Sequence, residues 1–200
     1  AGWFKKEINS LEDFQGLKMR IPGLGGEVFK EVGGLPITLT GGELFTALQT
    51  GVIDATEWVG PYNDLAFGLH KAAEYYYHSG WHEPGTLLEF TVNKAAFDAL
   101  PKDLQKIVEV ATRAANQDML DEYTARNPNA LRQLVEYGTE LRALPKDVIE
   151  ALKVATAKVI KQERADDADF DRIYASYDAF FQEVKAYHKV SEQEYYENRE

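Results

Sequence analysis

The 200-residue sequence predicts an α/β protein, with alternating strands and helices over residues 1–92 and a helical region over 93–200. Three observations predict it. Fourteen of the 15 glycines lie at or before Gly85, and Gly138 is the only later one. The first region breaks into short apolar runs punctuated by Gly and Pro. The second carries apolar residues at the i, i+3, i+4, i+7 spacing of a helix face and has few breakers.

In order along the chain, residues 3–8, 17–21, 36–39 and 87–92 are predicted strands. Helices are predicted over 27–32 and 43–49, with another inside 62–77. Thr40-Gly41-Gly42-Glu43 fits a capping box, in which the hydroxyl and the carboxylate satisfy free N–H groups at a helix start. Asn93 is a predicted cap for a helix over 94–100. After Pro101, Leu104, Ile107, Val108 and Ala111 define a helix running to about Arg126, where Asn127-Pro128 should interrupt it. A further helix is expected over 130–144. Pro145 then opens another, with Val148, Leu152, Ala155 and Val159 on one face. The last long pattern uses Phe170, Ile173, Tyr174, Tyr177, Phe181 and Val184, and Ser191-Glu192-Gln193-Glu194 reads as a second capping box. These stripes need only packing to explain them, although the helical residues outnumber the few strands available to cover.

Composition narrows the function classes. With 33 acidic against 22 basic side chains the formal charge is −11, and no basic stripe appears, which argues against nucleic acid. The absence of cysteine excludes disulfides, thiolate metal sites and a cysteine nucleophile. Apolar runs fall far short of the ~20 residues of a membrane span, and no signal-peptide pattern remains.

The four histidines, His70, His78, His82 and His188, never adopt the H-E-x-x-H spacing of hydrolytic zinc sites. His82 and Glu83 adjoin within Gly80-Trp81-His82-Glu83-Pro84-Gly85; neighbours in an extended segment point to opposite faces, so they are not expected to share a metal. There is no G-x-S-x-G elbow, and Gly23-Leu24-Gly25-Gly26 fails the dinucleotide fingerprint because Val28 takes the last glycine position. Two features carry chemistry. Arg20 lies in the apolar strand Lys18-Met19-Arg20-Ile21, where its planar fork of donors suits a carboxylate; taken alone, an edge-strand arginine paired with a surface acid is the stronger alternative. Glu57-Trp58 offers an anionic oxygen suited to a hard cation beside a flat indole wall; a core tryptophan with a helix-flanking acid is the alternative.

Taken together, Gly16-Leu17-Lys18-Met19-Arg20-Ile21-Pro22, Gly42 to Ala55 (G-E-L-F-T-A-L-Q-T-G-V-I-D-A) and Glu57-Trp58 resemble the solute-binding subunits of TRAP (tripartite ATP-independent periplasmic) transporters, the DctP family. The Glu-Trp pair and the Gly-Trp-His-Glu-Pro-Gly segment are most similar to the branch that binds 2-oxo acids such as pyruvate. All 200 residues read as the C-terminal part of such a receptor.

The resemblance implies a periplasmic-binding-protein-like second lobe with a mixed sheet over 1–92, followed by long C-terminal helices over 93–200 that span and cover the lobes. The N-terminal lobe is then missing from this sequence. It also implies that Arg20 pairs with the ligand carboxylate, that Trp58 lines the pocket, and that Glu57 and the Trp58 carbonyl hold a bridging Na⁺ or Ca²⁺, with Glu83 as a third contributor. The expected protein is a periplasmic receptor, not an enzyme, that serves TRAP membrane subunits and is capable of dimerising through its C-terminal helices. The rival reading is a metal-assisted enzyme acting on small organic acids, for which His82 is the one histidine suited to proton transfer.

Overall fold

The computed structural model describes residues 1–85 and 87–199. Residues 1–152 form one compact unit and the residues from Lys153 onward a second. In the first unit, strands β1 (Gly2–Phe4), β2 (Lys18–Arg20), β3 (Leu35–Ile37), β4 (Ala55–Thr56), β5 (Tyr75–His78) and β6 (Glu140–Ala143) make one sheet in the order β3-β2-β4-β1-β5-β6. The β2–β3, β2–β4 and β5–β6 pairs are parallel, whereas β1 runs antiparallel to both β4 and β5. The sheet is therefore mixed, as expected.

Helix α1 (Gly23–Glu31) begins four residues before the helix expected over 27–32, inside the Gly-rich run, and α2 (Leu44–Thr50) follows the Thr40 box. Glu43 Oε2 accepts from the Thr40 N–H at 2.9 Å and from its hydroxyl at 2.7 Å. Helix α3 (Pro61–Phe67) is the one expected within 62–77, but the end of that segment is β5. Leu44, Leu48, Ile53, Leu69 and Leu134 pack with Trp3 in a core from which water is excluded.

Several expectations fail for identifiable reasons. Residues 87–92 form no strand: a strand needs a neighbour for its N–H groups, and Leu87 and Phe90 are instead 91% and 68% exposed. After α4 (Lys94–Asp98), capped by Asn93 Oδ1 on the Ala96 N–H at 3.0 Å, helix α5 runs unbroken over Lys102–Glu136 through Pro128. Pro128 forfeits one helical bond, while Asn127 Oδ1 accepts from the Tyr62 N–H at 3.0 Å and docks α5 on the start of α3. The helix expected over 130–144 ends at Glu136, because residues 140–143 find β5 as a parallel partner.

Helix α6 (Lys146–Asp166) begins after Pro145, and its expected face of Val148, Leu152, Ala155 and Val159 is buried. In the second unit, Asp167 Oδ1 caps α7 (Ala168–His188) by accepting from Asp169 and Phe170 N–H groups at 2.7 and 3.0 Å. Ser191 is not a cap. Its hydroxyl bonds back to the Tyr187 carbonyl at 2.9 Å, and the chain passes through a π-turn (Lys189–Gln193) into α8 (Glu194–Glu197). Among the described residues no helix is long and apolar enough to cross a membrane.

Candidate functional site

The strand order brings the predicted residues together. Strands β2 and β4 are parallel neighbours, and Arg20 and Thr56 are paired in register at their C-terminal ends. Arg20 thus ends β2, and Glu57 and Trp58 directly follow β4. Strand β5 is antiparallel to β1, as β4 is, so it points the same way as β4 and its continuation 79–85 leaves from the same edge. Ligand crevices of open α/β sheets form at this edge, where successive loops part.

Arg20 is only 12% exposed at its side chain. Its Nη1 is paired with Glu57 Oε1, its Nε donates to the Leu39 carbonyl at 3.3 Å, and its guanidinium carbon lies 5.4 Å from the centre of the Trp58 indole. Nη2 has no acceptor among the described residues, so one arm of the fork stays available. The indole is seated against Phe67, with ring centres 5.2 Å apart. Its place requires glycine at 41, where an added Cβ would fall 2.6 Å from the Trp58 ring.

The second oxygen of Glu57, Oε2, lies 4.0 Å from His82 Nε2. Glu57, His82 and Glu83 each present a ligand atom, all within 4.8 Å of one another. This corrects the expectation that His82 and Glu83 diverge. Residues 79–85 bend rather than extend, with Ser79 at φ 74° and the Glu83 carbonyl folded to 3.0 Å from where a Cβ on residue 80 would stand, a tight approach that Gly80 eases. In a bend, adjacent side chains do not alternate across a sheet. Four buried side-chain atoms lack a partner among the described residues, and two of them, Trp58 Nε1 and His82 Nδ1, lie here. Buried polar atoms are normally paired, so both suit an outside group. A neighbouring cavity of about 980 Å³ takes in Glu83, Tyr76 and Leu88 but not Arg20, Glu57 or Trp58.

Sequence reasoning missed the support beneath this site. Asp64, 2% exposed, accepts from Trp3 Nε1 at 2.8 Å and from the Gly60 N–H at 3.2 Å. Burial pushes its carboxyl up to about 6 against these hydrogen bonds, and burial likewise raises Tyr76. Gly60-Pro61 with an acid in the following turn is a helix-start signal that could have flagged Asp64.

Chemically, the crevice offers half of an arginine fork, an aromatic wall and a carboxylate–imidazole–carboxylate group: a place for an organic anion beside a cation. The mixed sheet and its helices have the fold of periplasmic solute-binding proteins. Residues 1–166 match the model of the bacterial extracellular solute-binding protein family 7 (DctP), and the chain belongs to that family.

A monocarboxylate 2-oxoacid-binding periplasmic protein of Nostoc sp. is 44% identical over 98% of this chain and 54% of its own length. A Colwellia psychrerythraea TRAP solute-binding protein, solved with calcium and pyruvate, is 45% identical with a TM-score of 0.95, covering 99% of this chain and 61% of that one. Its Pseudoalteromonas atlantica counterpart, with sodium and pyruvate, is 43% identical at a TM-score of 0.94 over 98% and 60%. A Bordetella bronchiseptica protein, a mixed-occupancy dimer with calcium and picolinate, is 36% identical at 0.92 over 99% and 59%. The chain thus spans little more than half the length of these relatives.

Proposed function

We propose that this chain is the second lobe and helical remainder of a periplasmic receptor that binds a 2-oxo acid such as pyruvate with Na⁺ or Ca²⁺ and hands it to TRAP membrane subunits. The observation that carries this reading is Arg20, buried against the Trp58 indole and ion-paired to Glu57 at the ligand edge of the sheet. In this reading Arg20 clasps the ligand carboxylate and Trp58 walls the pocket. Glu57, the Trp58 carbonyl and Glu83 hold the cation. The donor set is consistent with a cation, since two carboxylates and a carbonyl are hard oxygen donors.

Each charge then has a counterpart. Glu57 faces Arg20 through one oxygen and the cation through the other, and the ligand carboxylate bridges the two positive centres. Closure of a first lobe over 1–92 would expel water and strengthen these pairings. The exposed Leu87, Leu88, Phe90 and Val92 suit contact with that lobe, and residues 93–200 supply helices that span and cover both. No role requires turnover. The exposed apolar side of α7, with Ile173, Tyr177 and Phe180, suits a second copy of the chain, and the Bordetella relative was solved as a dimer.

Calorimetry of the full-length parent protein with pyruvate, with and without Na⁺ or Ca²⁺, tests the reading. Arg20→Ala is expected to abolish binding, and unchanged affinity in that variant would overturn the assignment.

A further inference from the structure

We propose that His82 is a nitrogen ligand of the cation site and opens it to borderline divalent metals, such as Co²⁺ and Zn²⁺, beside the hard cations; this rests on the cation site of the receptor reading.

Zn²⁺-class ions hold nitrogen and oxygen ligands at about 2.0–2.2 Å and Ca²⁺ holds oxygen at about 2.3–2.6 Å, so two atoms on one ion stand at most about 4.4 Å apart for the former and about 5 Å for the latter. The ligand atoms of Glu57, His82 and Glu83 all lie within 4.8 Å of one another, inside the Ca²⁺ limit, and the Glu57–His82 pair at 4.0 Å is inside the tighter one. Arg20 holds Glu57 Oε1, which leaves Oε2 to face the imidazole at 4.0 Å. That separation is too long for a hydrogen bond and suits two ligands of a shared ion.

The ring is also positioned. Its side chain is 14% exposed, and it sits between Trp81, whose ring centre is 4.8 Å away, and the side-chain-free face of Gly25 in α1. Its Nδ1 is buried without a protein partner, so no acceptor of the described residues draws the imidazole elsewhere. Among oxygen donors alone, Na⁺ and Ca²⁺ are well served. An added imidazole favours first-row divalent ions, whose affinity for nitrogen ligands follows the Irving–Williams order. Two carboxylates and one imidazole also leave positions open for an organic carboxylate.

The full-length parent protein is titrated separately with Co²⁺ and Ca²⁺, following tryptophan fluorescence, which Trp58 and Trp81 place beside the ion. His82→Gln should weaken Co²⁺ at least roughly tenfold and Ca²⁺ far less, as expected for loss of one ligand that matters to only one metal class. A variant that weakens both metals equally, or neither, overturns the proposal. The native protein gives a readout independent of any variant: with ¹⁵N-labelled histidine, Zn²⁺ should shift the His82 ring nitrogens to metal-bound positions and Ca²⁺ should not. Absence of that shift overturns it too. Failure to bind pyruvate alongside His82-dependent Co²⁺ binding would support this inference while telling against the receptor reading.

Discussion

Arg20 and Glu57 are joined three times: the guanidinium pairs with the carboxylate and donates to the Glu57 carbonyl at 3.5 Å, and the Glu57 N–H donates to the Arg20 carbonyl at 3.3 Å. The backbone bond extends the β2–β4 ladder by one residue. It fixes the register so that both side chains emerge at one edge, where a shift of one residue would send one of them to the opposite face. The pairing is not adjustable by side-chain rotation alone.

Replacing one partner therefore exposes the other. Glu57→Ala leaves a nearly buried guanidinium without its counter-charge, and breaking such a pair costs about 3–5 kcal/mol. Chemical denaturation should show that loss, and calorimetry should show that carboxylate binding no longer depends on the cation. A variant whose ligand affinity still rose with added Ca²⁺ would contradict the role given to Glu57.

Gly41→Ala tests the indole wall. The new methyl would stand 2.6 Å from the Trp58 ring, so the ring must shift from its seat beside Arg20 and Phe67. Such overpacking costs about 1–3 kcal/mol. We expect shifted tryptophan emission and pyruvate affinity lowered about tenfold, while an unperturbed spectrum would show that the wall is not seated as described.

Asp64 predicts an unusual pH dependence. Burial raises its carboxyl from an ordinary value near 3.8 to about 6 in the folded protein. The folded state then holds a proton that the unfolded chain has released, so stability from this group is full below pH 4, declines between about pH 4 and 6, and is flat above. The shift corresponds to about 3 kcal/mol. Asp64→Asn should abolish the decline; its amide nitrogen cannot accept the bond that one carboxylate oxygen takes from Trp3 or Gly60, so the variant loses stability at every pH and the vanished pH slope is the readout. Urea unfolding across that range measures it; a parent protein equally stable at pH 4 and 7, once other groups are subtracted with the variant, would refute it.

The dimer reading has its own test. Tyr177 and Phe180 on α7 are 58% and 67% exposed, so Tyr177→Glu with Phe180→Glu should shift sedimentation from dimer to monomer with little loss of fold. A parent protein already monomeric at micromolar concentration would remove the dimer and leave ligand binding untouched.

Local signals were legible wherever the chain's own neighbours decide structure. The Thr40–Glu43 box, the Asn93 cap, the start of α6 after Pro145 and the buried face of that helix follow from nearby residues. The candidate residues Arg20, Glu57, Trp58 and Glu83 could be nominated too, because residue chemistry and motif resemblance are properties of the sequence. Partners distant in sequence were not legible. Strand β6 exists because it found β5 across more than sixty residues, residues 87–92 remain irregular for want of such a partner, and Pro128 is carried inside α5 next to Asn127, which holds the Tyr62 N–H. The approach of His82 to Glu57 belongs to this class. Sequence determined which chemical groups the protein carries; only the tertiary structure decided which of them meet, because long-range pairing and burial outweigh local propensity.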